Sequence, residues 1–264
     1  MLPDIARLDR QIRLTAREEI LSRYQQVDFS IKQDGSLLTE ADLATNQRLQ
    51  QFLQQQWPDI AFLSEEMEVS QQEQLLRDTD WLWCLDPLDG TSNFAAGLPL
   101  FATSLALISK GEVVMGLSYD PIRDEMFSAI HGKGAWLNGR RLQCRDSGFP
   151  LENAVALIDF KRLPPDLRQR LSHSPPYGSQ RNIGSSVLEW AWMAANRGQL
   201  YLHGGMKLWD LAAGTLILTE AGGKACTLDN EPVFRPRMQP RSVVASPDLR
   251  LFDAWYRYLT QAAD

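Results

Sequence analysis

The stretch Trp81-Leu82-Trp83-Cys84-Leu85-Asp86-Pro87-Leu88-Asp89-Gly90-Thr91 decides how the rest of this chain is read. Five apolar residues run directly into two acids three residues apart, and Gly-Thr follows. Such a run predicts a buried strand that delivers both carboxylates at its C-terminal end. Two acids held close together are unfavourable unless protons or metal ions neutralise them. An all-oxygen donor set suits a hard ion such as Mg2+. Gly90 lets the backbone approach a ligand closely, and a helix starting near Thr91 would offer free N–H groups to a phosphate. The plainer alternative is an Asx-type turn that caps a helix, because short motifs of this kind also arise without chemistry.

Three further acid positions repeat the pattern. The apolar run Ile60–Leu63 ends in Ser64-Glu65-Glu66. Asp42 stands three residues after Thr39, close to a capping box at the start of a helix. Asp210 follows Trp209 and opens another helix, where the dipole favours an acid. Taken singly, each reads as a cap or as solvated surface. Four acid sites, each at a strand end or a helix start, point instead to a metal centre.

Outward from these sites the pattern is mixed α and β. A helix is expected from Ile5 to Tyr24, where apolar residues recur at three- and four-residue steps. An extended piece (27–32) and a polar turn at Asp34-Gly35-Ser36 follow. The next helix runs from Glu40 to Trp57, with Leu43, Leu49, Phe52 and Leu53 as its buried stripe, and Pro58 ends it. From Phe101 to Leu142 the alternation predicts an antiparallel meander. Strands are expected at Ala154–Phe160, Gln199–His203 and Ser242–Ala245, a loop at Ser172–Ser179, and helices at Gly184–Asn196, Leu208–Ala221 and Asp248–Ala262. Gly222-Gly223 is a good stop for the second of these helices.

Composition narrows the function classes. Net charge is −6, from 27 Lys+Arg against 33 Asp+Glu, so a nucleic-acid partner is disfavoured. No apolar stretch approaches a membrane span, and Met1–Arg10 lacks the apolar core of a signal peptide. Cys84, Cys144 and Cys226 are widely spaced and odd in number, which suggests neither a zinc site nor a disulfide framework. Free thiols fit a cytoplasmic protein. His131 and His173 read as surface residues and Arg140-Arg141 as a solvated turn.

Four segments, in order, resemble the inositol monophosphatase family: Thr39-Glu40-Ala41-Asp42, Ser64-Glu65-Glu66, Asp86–Phe94, and Trp209-Asp210 with Gly214 and Thr219–Gly223. Gly132–Ala135, Asn138-Gly139 and Arg181–Ser186 look like family segments too, so the resemblance covers nearly the whole chain. It implies an α+β fold layered αβαβα, one domain over 1–264 with intimate halves of roughly 1–145 and 146–264, and commonly a homodimer. It implies a Mg2+-dependent, lithium-sensitive phosphoric monoester hydrolase that uses two to three ions. Glu65, Asp86 and the Leu88 carbonyl would hold one ion, and Asp86, Asp89 and Asp210 a second. Asp42 and Thr91 would orient and deprotonate the attacking water, Gly90 and Thr91 would bind phosphate through their N–H groups, and Glu65 would support a third ion. Ser185, Ser186, His203, Asp89, Asp210 and the positions just before Trp209 would face the alcohol half of a small phosphate ester.

Two positions depart from the family pattern. Ser64 stands where Gly is usual, which an extended backbone tolerates. His203 stands where inositol-directed members carry an acid, which leaves the substrate open among inositol monophosphate, other sugar phosphates, 3′-phosphoadenosine 5′-phosphate and histidinol phosphate. A haloacid-dehalogenase type of phosphatase fits less well, since its two Asp residues are separated by one residue and Asp86 and Asp89 by two. A metal-binding regulatory partner built on a phosphatase scaffold is the non-enzymatic alternative.

Overall fold

Apolar residues at four-residue steps turn the N-terminal segment into a helix, α1 (Ile5–Thr15), that continues through a π-helical turn at Ala16–Leu21. The structure is a computed structural model that describes residues 2–25, 29–31 and 37–261. Of the extended piece expected over 27–32, Phe29–Ile31 (β1) pairs with Leu37–Thr39 (β2). The turn expected at Asp34-Gly35-Ser36 lies outside the described residues. Helix α2 (Glu40–Gln56) buries Ala41, Thr45, Leu49 and Leu53, four residues apart on one face. Leu43 does not belong to that stripe: it lies 200° around the helix from Ala41 and is exposed.

Seven strands form the first sheet, in the order β3 (Ala61–Ser64), β4 (Trp81–Asp89), β5 (Ala102–Ser109), β6 (Glu112–Asp120), β7 (Glu125–Ile130), β8 (Gly134–Leu137) and β9 (Arg140–Arg141). The β3–β4 pair is parallel because helix α3 (Val69–Asp78) carries the chain back; every later pair is antiparallel, and β5 to β9 form the expected meander. The second sheet has five strands: β10 (Val155–Asp159), β11 (Ser179–Arg181), β12 (Leu200–Met206), β13 (Lys224–Cys226) and β14 (Arg241–Ser246), arranged β11-β10-β12-β14-β13. Among the described residues the remaining α-helices are the single turn α4 (Thr91–Ala95), then α5 (Pro165–His173), α6 (Ser186–Ala194), α7 (Leu208–Glu220) and α8 (Leu249–Thr260).

Period-two alternation in the strands separates three large cores among the described residues. Trp83 and Leu85 of β4 face α1 and α2, while Leu82 and Cys84 face α6 and α7. Tyr201 of β12 meets the same middle helices from the other side, and Leu200 and Leu202 pack on α8 with Trp255 and Phe252. The result is five layers in the order αβαβα, as the resemblance implies.

Candidate active site

In a regular strand Asp86 and Asp89 would point to opposite faces of the sheet. Pro87 has no N–H to give to the ladder, and the β4–β5 register shifts between Asp86 and Asp89. The irregularity turns both carboxylates to the same side. The Pro87 carbonyl, freed from regular pairing, accepts from Thr103 Oγ1 at 2.9 Å. The chain then reverses at Gly90, whose φ of 89° is left-handed. A Cβ there would sit 2.8 Å from the Leu100 carbonyl oxygen, so both conformation and space call for glycine.

Asp210 arrives from the second half, in the first turn of α7, and its Oδ2 accepts from the Lys207 N–H at 3.0 Å. Oxygens of Asp86, Asp89 and Asp210 all lie within 4.8 Å of one another. Asp86 Oδ1 accepts from the Leu88 N–H at 3.1 Å. Asp89 Oδ2 accepts from Ser185 Oγ and, at 2.8 Å, from the Val187 N–H, which anchors it to the start of α6. Glu65 lines the same cavity at the end of β3. Ser64, where the family pattern has Gly, is the buried last residue of that strand, and its carbonyl accepts from Gln72 Nε2 at 2.7 Å.

Crowded acids out of water resist ionisation. Burial first, then the charges of Glu65, Asp89, Asp210 and Asp42, push the Asp86 carboxyl well above its usual range. Burial, Asp89 and Glu65 do the same to Asp210. Asp89 is pushed up to about 6 by burial, although the bonds from Ser185 and Val187 pull the other way. A hard divalent cation fits this set: every donor is oxygen, the carboxylates converge, and a cation would offset the repulsion that now raises their pKa values.

A second element sits beside the acids. Thr91 Oγ1 lies 3.1 Å from Asp42 Oδ1 and 3.0 Å from the Leu88 carbonyl oxygen. Asp42 is buried, and its Oδ2 accepts from both the N–H and the hydroxyl of Thr39. Burial pushes the Asp42 carboxyl up, the bonds from Thr39 and Thr91 offset this in part, and the charge of Glu65 adds to it.

A cavity of about 190 Å³ opens onto these groups, lined by Glu65, Asp86, Leu88, Asp89, Gly90, Thr91 and Asp210 among others. Of the residues expected to meet the alcohol half, Ser185 is buried with its hydroxyl given to Asp89, and Ser186 begins α6 outside the lining. His203 is turned away as well. Its Nδ1 accepts from the Gly205 N–H at 3.1 Å and its Nε2 lies 3.3 Å from Asp159 Oδ2, so both ring nitrogens are used inside the protein. In its place the wall holds Arg162, Lys207, Gly184 and Trp209. Lys207 falls among the positions before Trp209 that the resemblance singles out. Arg162, from the turn between β10 and α5, carries no sequence signal; the topology alone brings it there. Asn93 is a further supporting residue, since its Nδ2 holds the carbonyls of Leu100 and Ile183 at 2.7 and 2.9 Å.

Known proteins share this framework. The profile of the inositol monophosphatase family matches residues 2–262. The protein named Nus factor SuhB of Haemophilus influenzae is 34% identical over 230 residues, covering 85% of this chain and 83% of that protein. An inositol-1-monophosphatase of Mesorhizobium japonicum is 33% identical over 213 residues, covering 78% of this chain and 77% of its own length. The crystal structure of the extragenic suppressor protein SuhB from Bartonella henselae superposes with a TM-score of 0.82 at 29% identity, covering 96% of this chain and 95% of that one. The chain belongs to the inositol monophosphatase family.

Proposed function

We propose that this chain is a Mg2+-dependent phosphomonoesterase acting on a small phosphorylated polyol, with inositol monophosphate the first compound to test. The observation that carries this reading is the meeting, at one cavity, of the Asp86, Asp89 and Asp210 carboxylates with the Thr91–Asp42 pair. Family membership supports the reaction class. Asp86, Asp89, Asp210, Glu65 and the Leu88 carbonyl would hold two to three ions. Bound there, the ions would supply charge neutralisation and a more acidic water.

The chain's own groups do the rest. Thr91 directs its hydroxyl hydrogen at Asp42 and the Leu88 carbonyl, which leaves an oxygen lone pair to accept from a water and orient it. Asp42, fixed by Thr39, takes up the proton through Thr91. The N–H groups of Gly90 and Thr91 would receive the phosphate. Arg162, Lys207 and Trp209 form the wall left for the alcohol. Phosphoryl transfer asks mainly for positioning and charge neutralisation, so no covalent nucleophile is needed.

The small cavity favours a compact ester over 3′-phosphoadenosine 5′-phosphate; histidinol phosphate and other sugar phosphates remain on the test panel. The chain would work as one catalytic unit, since the acids come from both halves, and as a homodimer, as family members commonly are. Free thiols at Cys84, Cys144 and Cys226 support a cytoplasmic setting. No helix among the described residues is long and apolar enough to cross a membrane.

A second reading is a metal-binding partner of other proteins. It rests on relatives that carry the name Nus factor. Phosphate release from a panel of small esters, with and without Mg2+, separates the two. Magnesium-dependent turnover that Asp86→Asn abolishes supports the enzyme; absence of turnover on every ester supports the partner.

A further inference from the structure

We propose that Arg162 and Lys207 form a subsite for a second anionic group, so that the preferred ester carries a carboxylate or another phosphate on its alcohol half. This rests on the phosphatase reading of the cavity. With the reacting phosphate on Gly90 and Thr91, the alcohol must face the wall that holds Arg162, Lys207 and Trp209. The two cationic side chains of the lining are the Arg162 guanidinium and the Lys207 ammonium, which carry donors and no acceptor. A neutral polyol presents hydroxyl hydrogens as well as oxygens, and these two side chains can satisfy only the oxygens, while the nearby Asp89 and Asp210 carboxylates would be engaged with metal ions. His203 offers no acceptor to the cavity, since both of its ring nitrogens are engaged with Gly205 and Asp159. Carboxylate and phosphate oxygens accept only, and arginine binds them in a bidentate fork.

Both cations are held in place by the second sheet and by α7. Gly204 of β12 lets the turn that carries Arg162 lie directly against the strand: a Cβ on Gly204 would fall 2.0 Å from the Arg162 carbonyl oxygen. Arg162 Nη1 donates to the Gly205 carbonyl at 2.8 Å, which fixes the guanidinium along β12 beside the cavity. The Lys207 ammonium lies 5.5 Å from the centre of the Trp209 ring, while its own N–H caps Asp210. The competing role for the pair is to balance the charge of the acids before ions bind. In that case the pair would set the affinity for Mg2+ and not the choice of ester.

The test uses glycerol esters that differ only at the far carbon: glycerol 3-phosphate, 3-phosphoglycerate and glycerol 1,3-bisphosphate. We expect kcat/KM of the Mg2+-loaded protein to favour one or both anionic esters by about tenfold or more, as one or two charge-assisted hydrogen bonds allow. Arg162→Gln and Lys207→Gln should each lower that ratio by about tenfold. Which anionic ester wins tells carboxylate from phosphate. In parallel, calorimetry with 3-hydroxypropylphosphonate, 3-phosphonopropionate and propane-1,3-bisphosphonate reads binding without turnover. If no ester is hydrolysed but the doubly anionic phosphonates still bind more tightly, the phosphatase reading fails and the subsite stands. Equal binding of all three phosphonates overturns the subsite. So does a pair of variants that shift only the calorimetric affinity for Mg2+.

Discussion

Thr91 Oγ1 and Asp42 Oδ1, from segments 49 residues apart, meet at 3.1 Å beside the acid cluster. The contact joins a short helix after β4 to the first turn of α2, and the other oxygen of Asp42 is already committed to Thr39. A residue that only caps α2 would have no reason to reach Thr91. On the proposed roles, Thr91→Ala and Asp42→Asn are each expected to lower kcat by about 10²–10⁴-fold with little change in KM, because the pair would act on the water and not on the ester. Steady-state kinetics on a good substrate measures both constants. A rise in KM alone would make Thr91 a phosphate contact and remove Asp42 from the mechanism.

Asp86→Asn should abolish turnover and yet stabilise the metal-free protein at pH 8. The folded-state pKa values of Asp86 and Asp210 are raised well above the usual range and that of Asp89 to about 6, so the folded state keeps protons that the unfolded chain releases near about 4. The contribution of these three acids to the stability of the metal-free protein is therefore fully present below about pH 4 and is lost as pH rises through about 6 and beyond. Removing one buried charge should raise the metal-free Tm at pH 8 by about 2–8 °C, from about 1–2 kcal/mol. Mg2+ is expected to stabilise the wild type and not the variant. Thermal unfolding with EDTA and with excess Mg2+ checks both signs, and an unchanged Mg2+ response would displace Asp86 from the metal site.

Asp248 tests the opposite sign, away from the active site. Its burial opposes ionisation, but hydrogen bonds from the N–H groups of Ser147, Leu251 and Arg250 and from the Ser147 hydroxyl prevail and hold its pKa below the usual carboxylate range. Its contribution is present above the unfolded value of about 4 and is lost as pH falls through the lower folded value. As the N-cap of α8 it should be worth about 1–2 kcal/mol. Asp248→Ala should show that loss by denaturant unfolding at pH 7, with the gap from wild type closing as pH falls through the lowered folded value.

His203→Glu is expected to cost stability without altering the choice of ester. The new carboxylate would face Asp159 and lose the acceptor that the Gly205 N–H now uses. Unpairing these buried groups costs about 1–3 kcal/mol. The ratio of kcat/KM for inositol monophosphate to that for glycerol 2-phosphate should stay within about twofold of wild type, since the ring lies outside the cavity lining. A shift of tenfold toward inositol monophosphate would place His203 at the substrate.

Lithium extends the metal reading. If Li+ displaces an ion held by Asp89 and Asp210 and delays phosphate release, inhibition should be uncompetitive with the ester. Initial-rate kinetics at several Li+ concentrations decides the pattern. Competitive inhibition would move the lithium site to the ester's own position.

The acids that converge at the cavity are legible in the sequence because each sits at the end of an apolar run or the start of a helix, where local pattern fixes position. The bulge that turns Asp86 and Asp89 to one side is half legible, through Pro87. Other features depend on contacts that no local window holds. Helix α3 buries only Gln72, so its apolar spacing is weak, and it goes unread. Helix α5 hides behind Pro164-Pro165, which looks like a breaker but places proline at the first helical position, where its missing N–H costs nothing. Leu43 misleads because hydrophobicity alone does not say which face of α2 meets the sheet. His203 leaves the site and the unforeseen Arg162 enters it for a tertiary reason: β12 aims one inward to Asp159 and holds the other, through Gly205, at the cavity wall.

Helix α7 is apolar around most of its circumference and is buried from Leu208 to Leu218 apart from a few positions. A helix of that kind has no solvent face to keep. Cut in the exposed segment between β9 and β10, the N-terminal fragment would display a bare sheet surface, and the C-terminal fragment a helix with one apolar face uncovered. Each piece alone should aggregate, whereas co-expressed pieces should reassemble. Because Asp86 and Asp89 would travel with one fragment and Asp210 with the other, regained magnesium binding would serve as the signal that the two had found each other.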